Sequence, residues 1–149
     1  MRILGLDLGG RRVGVAMSDP GAVIASALET VDGRDKDYLI AHIKELVEKH
    51  NIAAVVVGCP LNQDGTAGAQ AKNYGALTER IEQRLSVPVY KQDERFTTVE
   101  AHNTMRSLGE NGRRRRESVD RVAAVLILQT YLDRMNAAKR REARQEGWD

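Results

Sequence analysis

Three acids carry the chemistry this sequence offers: Asp7 in Ile3-Leu4-Gly5-Leu6-Asp7-Leu8, Glu94 in Asp93-Glu94-Arg95-Phe96-Thr97-Thr98, and Asp120 in Ser118-Val119-Asp120-Arg121. Asp7 is the sharpest of them. Ile3, Leu4, Leu6 and Leu8 leave no polar face, as in a central strand covered on both sides, so a carboxylate there is costly unless something compensates it. If folding gathers the three acids, their repulsion and desolvation call for divalent cations. All-oxygen donors, with no histidine or thiolate nearby, select Mg²⁺ or Mn²⁺. Two such ions roughly 4 Å apart activate water and stabilise the leaving oxygen in phosphodiester hydrolysis. Plainer roles compete for each acid. Asp120 at a helix start can serve the macrodipole, Glu94-Arg95 can be an exposed ion pair, and Asp64 and Asp93 are alternative ligands.

The elements that must position these acids follow from pattern. Gly9, Gly10 and Gly14 allow a tight turn into Val13-Gly14-Val15-Ala16-Met17, which would leave Asp7 at the open end of a hairpin, within reach of a metal or phosphate. Ala22 to Val31 reads as a third strand ended by Asp32-Gly33. From about Asp35, Leu39, Ile43, Leu46 and Val47 recur at helical spacing. Ile52 to Val57 is an apolar run rich in β-branched residues, expected as a buried parallel strand beside the first. Gly58 to Thr66 is dense in turn residues and leaves the carboxyl end of that strand, so it is a candidate site loop. Tyr74, Leu77, Ile81 and Leu85 mark a second helix, and Val87-Pro88-Val89-Tyr90 an edge strand. Beyond it, a threonine of Thr97-Thr98 can cap a helix through Ala101 and Met105, and Leu108 to Arg116 reads as a loop. Ser118 can cap a mostly buried final helix through Val122, Ala123, Val125, Leu128 and Leu132. From Ala138 a charged, frayed helical tail surrounds Trp148.

A chain of 149 residues, 42% hydrophobic, suits one domain (residues 1–137) followed by the charged segment 138–149. Twenty-three basic against twenty-one acidic residues give a net charge of +2, which does not itself indicate nucleic acid. Distribution says more. Arg113, Arg114, Arg115 and Arg116 put four fixed charges in succession, suited to phosphate binding beside an acidic site, with a solvated loop as the plain alternative. An aromatic content of 4% is too sparse for a base-stacking platform. Cys59, the only cysteine, excludes an internal disulfide or a cysteine-cluster metal site and is expected to pack rather than react. His42, His50 and His102 show no metal-type spacing and are expected at the surface. No signal-peptide pattern opens the chain, and no stretch approaches the roughly 20 apolar residues of a membrane span, so a soluble cytoplasmic protein is expected.

Four motifs together resemble a known family. Asp7-Leu8-Gly9-Gly10-Arg11-Arg12-Val13-Gly14, Val57-Gly58-Cys59-Pro60-Leu61-Asn62 with Asp64-Gly65-Thr66, Asp93-Glu94-Arg95-Phe96-Thr97-Thr98, and Asp120-Arg121-Val122-Ala123-Ala124 resemble the YqgF-type pre-16S ribosomal RNA nucleases, relatives of the Holliday junction resolvases. The resemblance implies an α/β, ribonuclease H-like fold: a mixed five-stranded sheet of order 3-2-1-4-5 flanked by helices. It implies a cytoplasmic metal-dependent endonuclease processing the 5′ end of precursor 16S rRNA. Its partners would be precursor rRNA, structured DNA or ribosomal particles, with no membrane, and the protein a monomer or weak homodimer. Carried over residue by residue, Asp7, Glu94 and Asp120 look like the catalytic metal-binding acids, with Asp7 holding both cations. Cys59 departs from the larger apolar residue more often found there, and Glu94 must reach from one strand beyond the Ile52 strand, which leaves Asp64 as a rival. Two other functions stand beside this one: a Holliday junction resolvase acting on branched DNA, and a non-catalytic RNA-binding ribosome assembly factor. The Asp7 to Ala16 segment also resembles the phosphate hairpin of actin-like ATPases and sugar kinases, which need two such domains where 149 residues supply one.

Overall fold

Strand β1 (Arg2–Leu8) lies at the centre of the sheet because its apolar side chains serve both faces. The computed structural model describes residues 1–9, 11–59, 69–93 and 112–145, with Cys59, residues 69–73, Asp93 and residues 112–120 described by backbone alone. Strand β2 (Arg12–Ser18) pairs antiparallel with β1, and β3 (Ala25–Asp32) antiparallel with β2. On the other side β4 (Ile52–Cys59) runs parallel to β1 and β5 (Val89–Asp93) parallel to β4. The order is β3-β2-β1-β4-β5, a mixed five-stranded sheet as expected.

Alternation divides the core into two layers. Leu4, Leu6, Leu8, Val13, Val55 and Val57 pack against helix α1 (Lys36–Lys49), with Ile81 of helix α2 (Ala69–Arg84) in the same cluster. Ile3, Ala16, Ala54 and Val56 face helix α3 (Gly112–Gln145) through Ala124, Ile127, Leu128 and Leu132. The second face is built from small residues, which lets α3 approach closely. A Cβ on Gly5 would lie 2.7 Å from the Cβ of Leu128 and 3.3 Å from the Ala124 carbonyl oxygen.

Local signals fix most boundaries. Asp35 caps α1, its carboxylate accepting from the Tyr38 backbone N–H. Asn51, at φ 52°, turns the chain out of the helix into β4. Pro88 stands just before β5, where its missing N–H costs no ladder bond. Asp32, expected to end β3, is its last residue.

Three expectations need correction. Asp7 pairs with Gly14 beside the closed, turn end of the β1–β2 hairpin rather than its open end, because β1 carries its apolar run towards Gly9. Arg113 to Arg116, read as loop, are helical from Gly112 onward, so Ser118 lies inside α3 and does not cap it. Arginine's helix propensity is close to that of alanine, and the run continues into the buried segment without a break. His42, expected at the surface, is partly buried with its Nε2 2.6 Å from Glu29 Oε1. The expected helix through Ala101 and Met105, most of the Gly58 to Thr66 loop, His102 and Trp148 lie outside the described residues.

Candidate active site

Asp7 is half-buried, one residue before the carboxyl end of β1, on the strand face shared with Ile3 and Gly5. The turn that follows is tight. The Gly9 N–H donates to the Asp7 carbonyl at 3.0 Å, and a Cβ on Gly9 would collide with the Arg12 carbonyl oxygen, so glycine is required beside the acid.

Pairing places Asp7, Gly14 and Thr30 in one row across three strands. Over that row the Nε of Arg121 donates to Thr30 Oγ1 at 3.3 Å. At the other end of the sheet, Ala25 pairs with Ser18, and the Ala25 N–H donates to Gln129 Oε1 at 2.9 Å. Helix α3 therefore crosses the sheet antiparallel to β1, with residue 121 over the Asp7 end and residue 129 over the Ile3 end. Position 120 precedes Ala124 by one turn and falls on the stripe of Ala123, Ala124 and Ile127, all fully buried. Its backbone thus stands at the Asp7 end of the sheet. Because α3 begins at Gly112, Asp120 is well past the first turn, where macrodipole stabilisation has faded. That plain explanation for an acid at this position falls away.

The other sequence candidates are placed less fully. Glu94 and Asp64 lie outside the described residues; Glu94 directly follows Asp93, which pairs with Cys59 at the carboxyl ends of β5 and β4. Arg113 to Arg116 occupy the start of α3, upstream of position 120 and therefore beyond the Asp7 end of the sheet. Among the described residues no group of three histidine, cysteine, aspartate or glutamate side chains could hold a metal ion. The proposed donor set is all carboxylate, chemistry that fits a hard divalent cation.

Two residues near this edge escaped the sequence reading. Arg121 adds a cation on the Asp7 row, and its place directly after Asp120 was the available signal. Gln92 lies one residue beyond the Leu6–Val57–Lys91 row, on the α3 face, since its neighbour Tyr90 stacks on Tyr131. It is 5% exposed, and its Nε2 has no partner among the described residues. A lone glutamine in a five-residue strand carries no sequence signal of burial.

Comparisons with known proteins agree with this architecture. A family model described as "RuvX: Holliday junction resolvase" matches residues 1–134. A protein of Acetivibrio thermocellus named "Putative pre-16S rRNA nuclease" is 44% identical over 135 residues, covering 89% of this chain and 96% of its own length. One of the same name from Listeria monocytogenes is 41% identical over 138 residues, 91% of this chain and 100% of its own. Among solved structures, Thermus thermophilus RuvC in complex with a Holliday junction substrate aligns at TM-score 0.56 and 21% identity, over 91% of this chain and 96% of that one. The Fowlpox virus resolvase bound to Holliday junction DNA aligns at TM-score 0.59 and 10% identity, over 91% and 99%. Those two show a shared fold. On its family match and on relatives above 40% identity across most of its length, the chain belongs to the RuvX family.

Proposed function

We propose that this protein is a cytoplasmic, divalent-metal-dependent endonuclease acting on precursor 16S rRNA, with Asp7, Glu94 and Asp120 as its cation-holding acids and Mg²⁺ or Mn²⁺ as the metal. Precursor rRNA, within or outside ribosomal particles, is then its partner. The relatives named above support the substrate class, and the absence of any helix long and apolar enough to cross a membrane among the described residues fits this reading. The observation that carries the assignment of residues is the antiparallel crossing of α3 over β1, which runs position 120 to the end of the sheet where Asp7 interrupts an apolar strand.

Each part of the chain then has a task. Antiparallel pairing with Gly14 fixes the backbone at Asp7, which limits the reorganisation needed when its carboxylate binds. Glu94, after β5, and Asp120, on α3, complete the cradle from either side. Bound divalent cations supply charge stabilisation for the attacking water and the leaving oxygen. Arg113 to Arg116 hold the RNA backbone by its phosphates, which sets position without reading sequence. Residues 1–137 form the catalytic domain, and 138–149 a charged appendage to it.

Cleavage of a precursor 16S rRNA fragment by the parent protein and by Asp7→Asn, in Mg²⁺ and in Mn²⁺, tests the proposal. Asparagine keeps shape and removes charge, so the fold should survive while the rate falls by at least about a hundredfold. Cleavage at the parental rate would refute the site. A four-way DNA junction in parallel decides the substrate: faster cutting of the junction than of the RNA would favour the resolvase reading.

A further inference from the structure

Helix α3 does not stop where the domain does. Towards that end it is held by the buried Leu132 and the half-buried Asn136, whose Nδ2 donates to the Ala22 carbonyl, before β3, at 3.0 Å. Every residue from Ala138 to Gln145 is exposed, yet the helix continues, about 12 Å of it with no sheet beneath. A bare helical extension gains nothing from burial, so its composition indicates what it meets. Lys139, Arg140, Arg141 and Arg144 stand against Glu142 alone; Glu146 and Asp149 follow in sequence outside the described residues. At about 100° per residue, Arg140 and Arg144 fall opposite Ala124, Arg134 and Arg141 on the flank of Ala123 and Ile127, and Lys139 in line with Leu128 and Leu132, so basic side chains surround the extension. Asp133, in line with Arg140 and Arg144, accepts from Gln129 Nε2 at 2.9 Å.

The family match ends at residue 134, and the Listeria relative is matched over its full length by 91% of this chain. Because α3 runs antiparallel to β1, the extension leaves the sheet at the end opposite Asp7. Arg140 lies nineteen residues beyond Arg121, roughly 28 Å along the helix, which approaches one turn of a nucleic-acid duplex.

We propose that residues 138–145 form a phosphate-gripping arm that holds structured RNA about one duplex turn from the scissile bond. The inference rests on the RNA-nuclease reading above. An exposed helix with four basic residues against one acid complements a polyanion, and its distance from Asp7 makes it a device for affinity and substrate length rather than for bond cleavage.

The test uses the full chain and a variant with Lys139, Arg140, Arg141 and Arg144 all replaced by glutamine, which preserves helix propensity. Binding to a precursor rRNA duplex of about twenty base pairs is measured across salt concentrations, beside a single-stranded RNA of about six nucleotides. Cleavage of both RNAs is followed in Mn²⁺. The expected result is at least about a tenfold loss of affinity for the duplex, a log–log salt slope shallower by about 3, unchanged affinity for the short RNA, and unchanged kcat at saturation. Equal duplex affinity and slope in both proteins would overturn the arm while leaving the nuclease standing. Equal loss on both RNAs would overturn the length argument, and with it the arm. If the parent binds duplex but cuts nothing in metal, the nuclease reading fails and the arm is still judged by the binding data. A parent that binds neither RNA overturns both.

Discussion

Asp32 and Asp19 show how this chain uses carboxylates for ordinary structure, and they set Asp7 apart. Asp32 accepts from Arg34 Nη2 at 2.6 Å, from its Nε at 3.1 Å and from its backbone N–H at 2.9 Å, and the guanidinium is the main reason its pKa is lowered to about 2. Asp19 accepts the backbone N–H groups of Ile24 and Val23, each at 2.8 Å, and these hold its pKa below the usual value. Asp19 follows β2 and Asp32 ends β3, and the partners of both are local. For Asp32 the folded-state pKa is depressed, so any stabilisation is present above the ordinary value of 3.8 and is lost as pH falls towards about 2. Exposure keeps that contribution small. A carboxyl ¹³C titration should give a midpoint for Asp32 near 2, moving towards 3.8 in Arg34→Gln with little change in Tm at pH 7. A midpoint that stays put in the variant would remove Arg34 as the cause. Asp7 differs in its place: it sits in a paired central strand, and that place could be read from sequence because its neighbours are apolar.

At the scale of elements, the contact that positions the site is the approach of α3 to β1 over Gly5. An alanine there would press its Cβ against Leu128 and the Ala124 carbonyl, and backbone cannot yield as a flexible side chain does. Gly5→Ala should cost about 1–3 kcal/mol, a fall in Tm of roughly 2–12 °C for a chain of this size. Because relief requires α3 to shift, and α3 carries position 120, RNA cleavage should fall more than the loss of folded protein explains. Unchanged Tm and rate would mean that the helix seat has slack. How far these elements were legible follows the same physics. β1 and β4 are buried on both faces and announce themselves as apolar runs, so their place side by side in the sheet could be anticipated, while the full strand order followed from the family resemblance. The ends of α3 could not. Arg113 to Arg116 and Lys139 to Gln145 carry no apolar stripe, and periodicity is silent where a helix is not packed, although both stretches suit a helix by propensity. The burial of Gln92 depends on what covers an edge strand, which its five residues do not encode.

For the whole molecule, charge placement outweighs charge total. A net +2 steers weakly, but α3 is 34 residues long, about 51 Å, and it gathers arginines at its start with no acid in its first turn. That arrangement opposes helix stability, since the positive end of the macrodipole meets four more positive charges, each costing about 0.3–1 kcal/mol when exposed. A feature that weakens the free protein is accounted for if the helix start meets phosphates, which reverse the sign of the interaction. Replacing Arg113, Arg114, Arg115 and Arg116 with glutamine should therefore separate two quantities that usually fall together. Tm of the free protein should rise or hold. RNA affinity should drop about equally for unrelated sequences, with a log–log salt slope shallower by about 3. Unlike the loss expected at the far end of α3, this one should extend to short RNAs, because the arginines lie at the Asp7 end of the sheet. Falling Tm with an unchanged salt slope would make the arginine run a structural part of α3 and take it out of the RNA-binding surface.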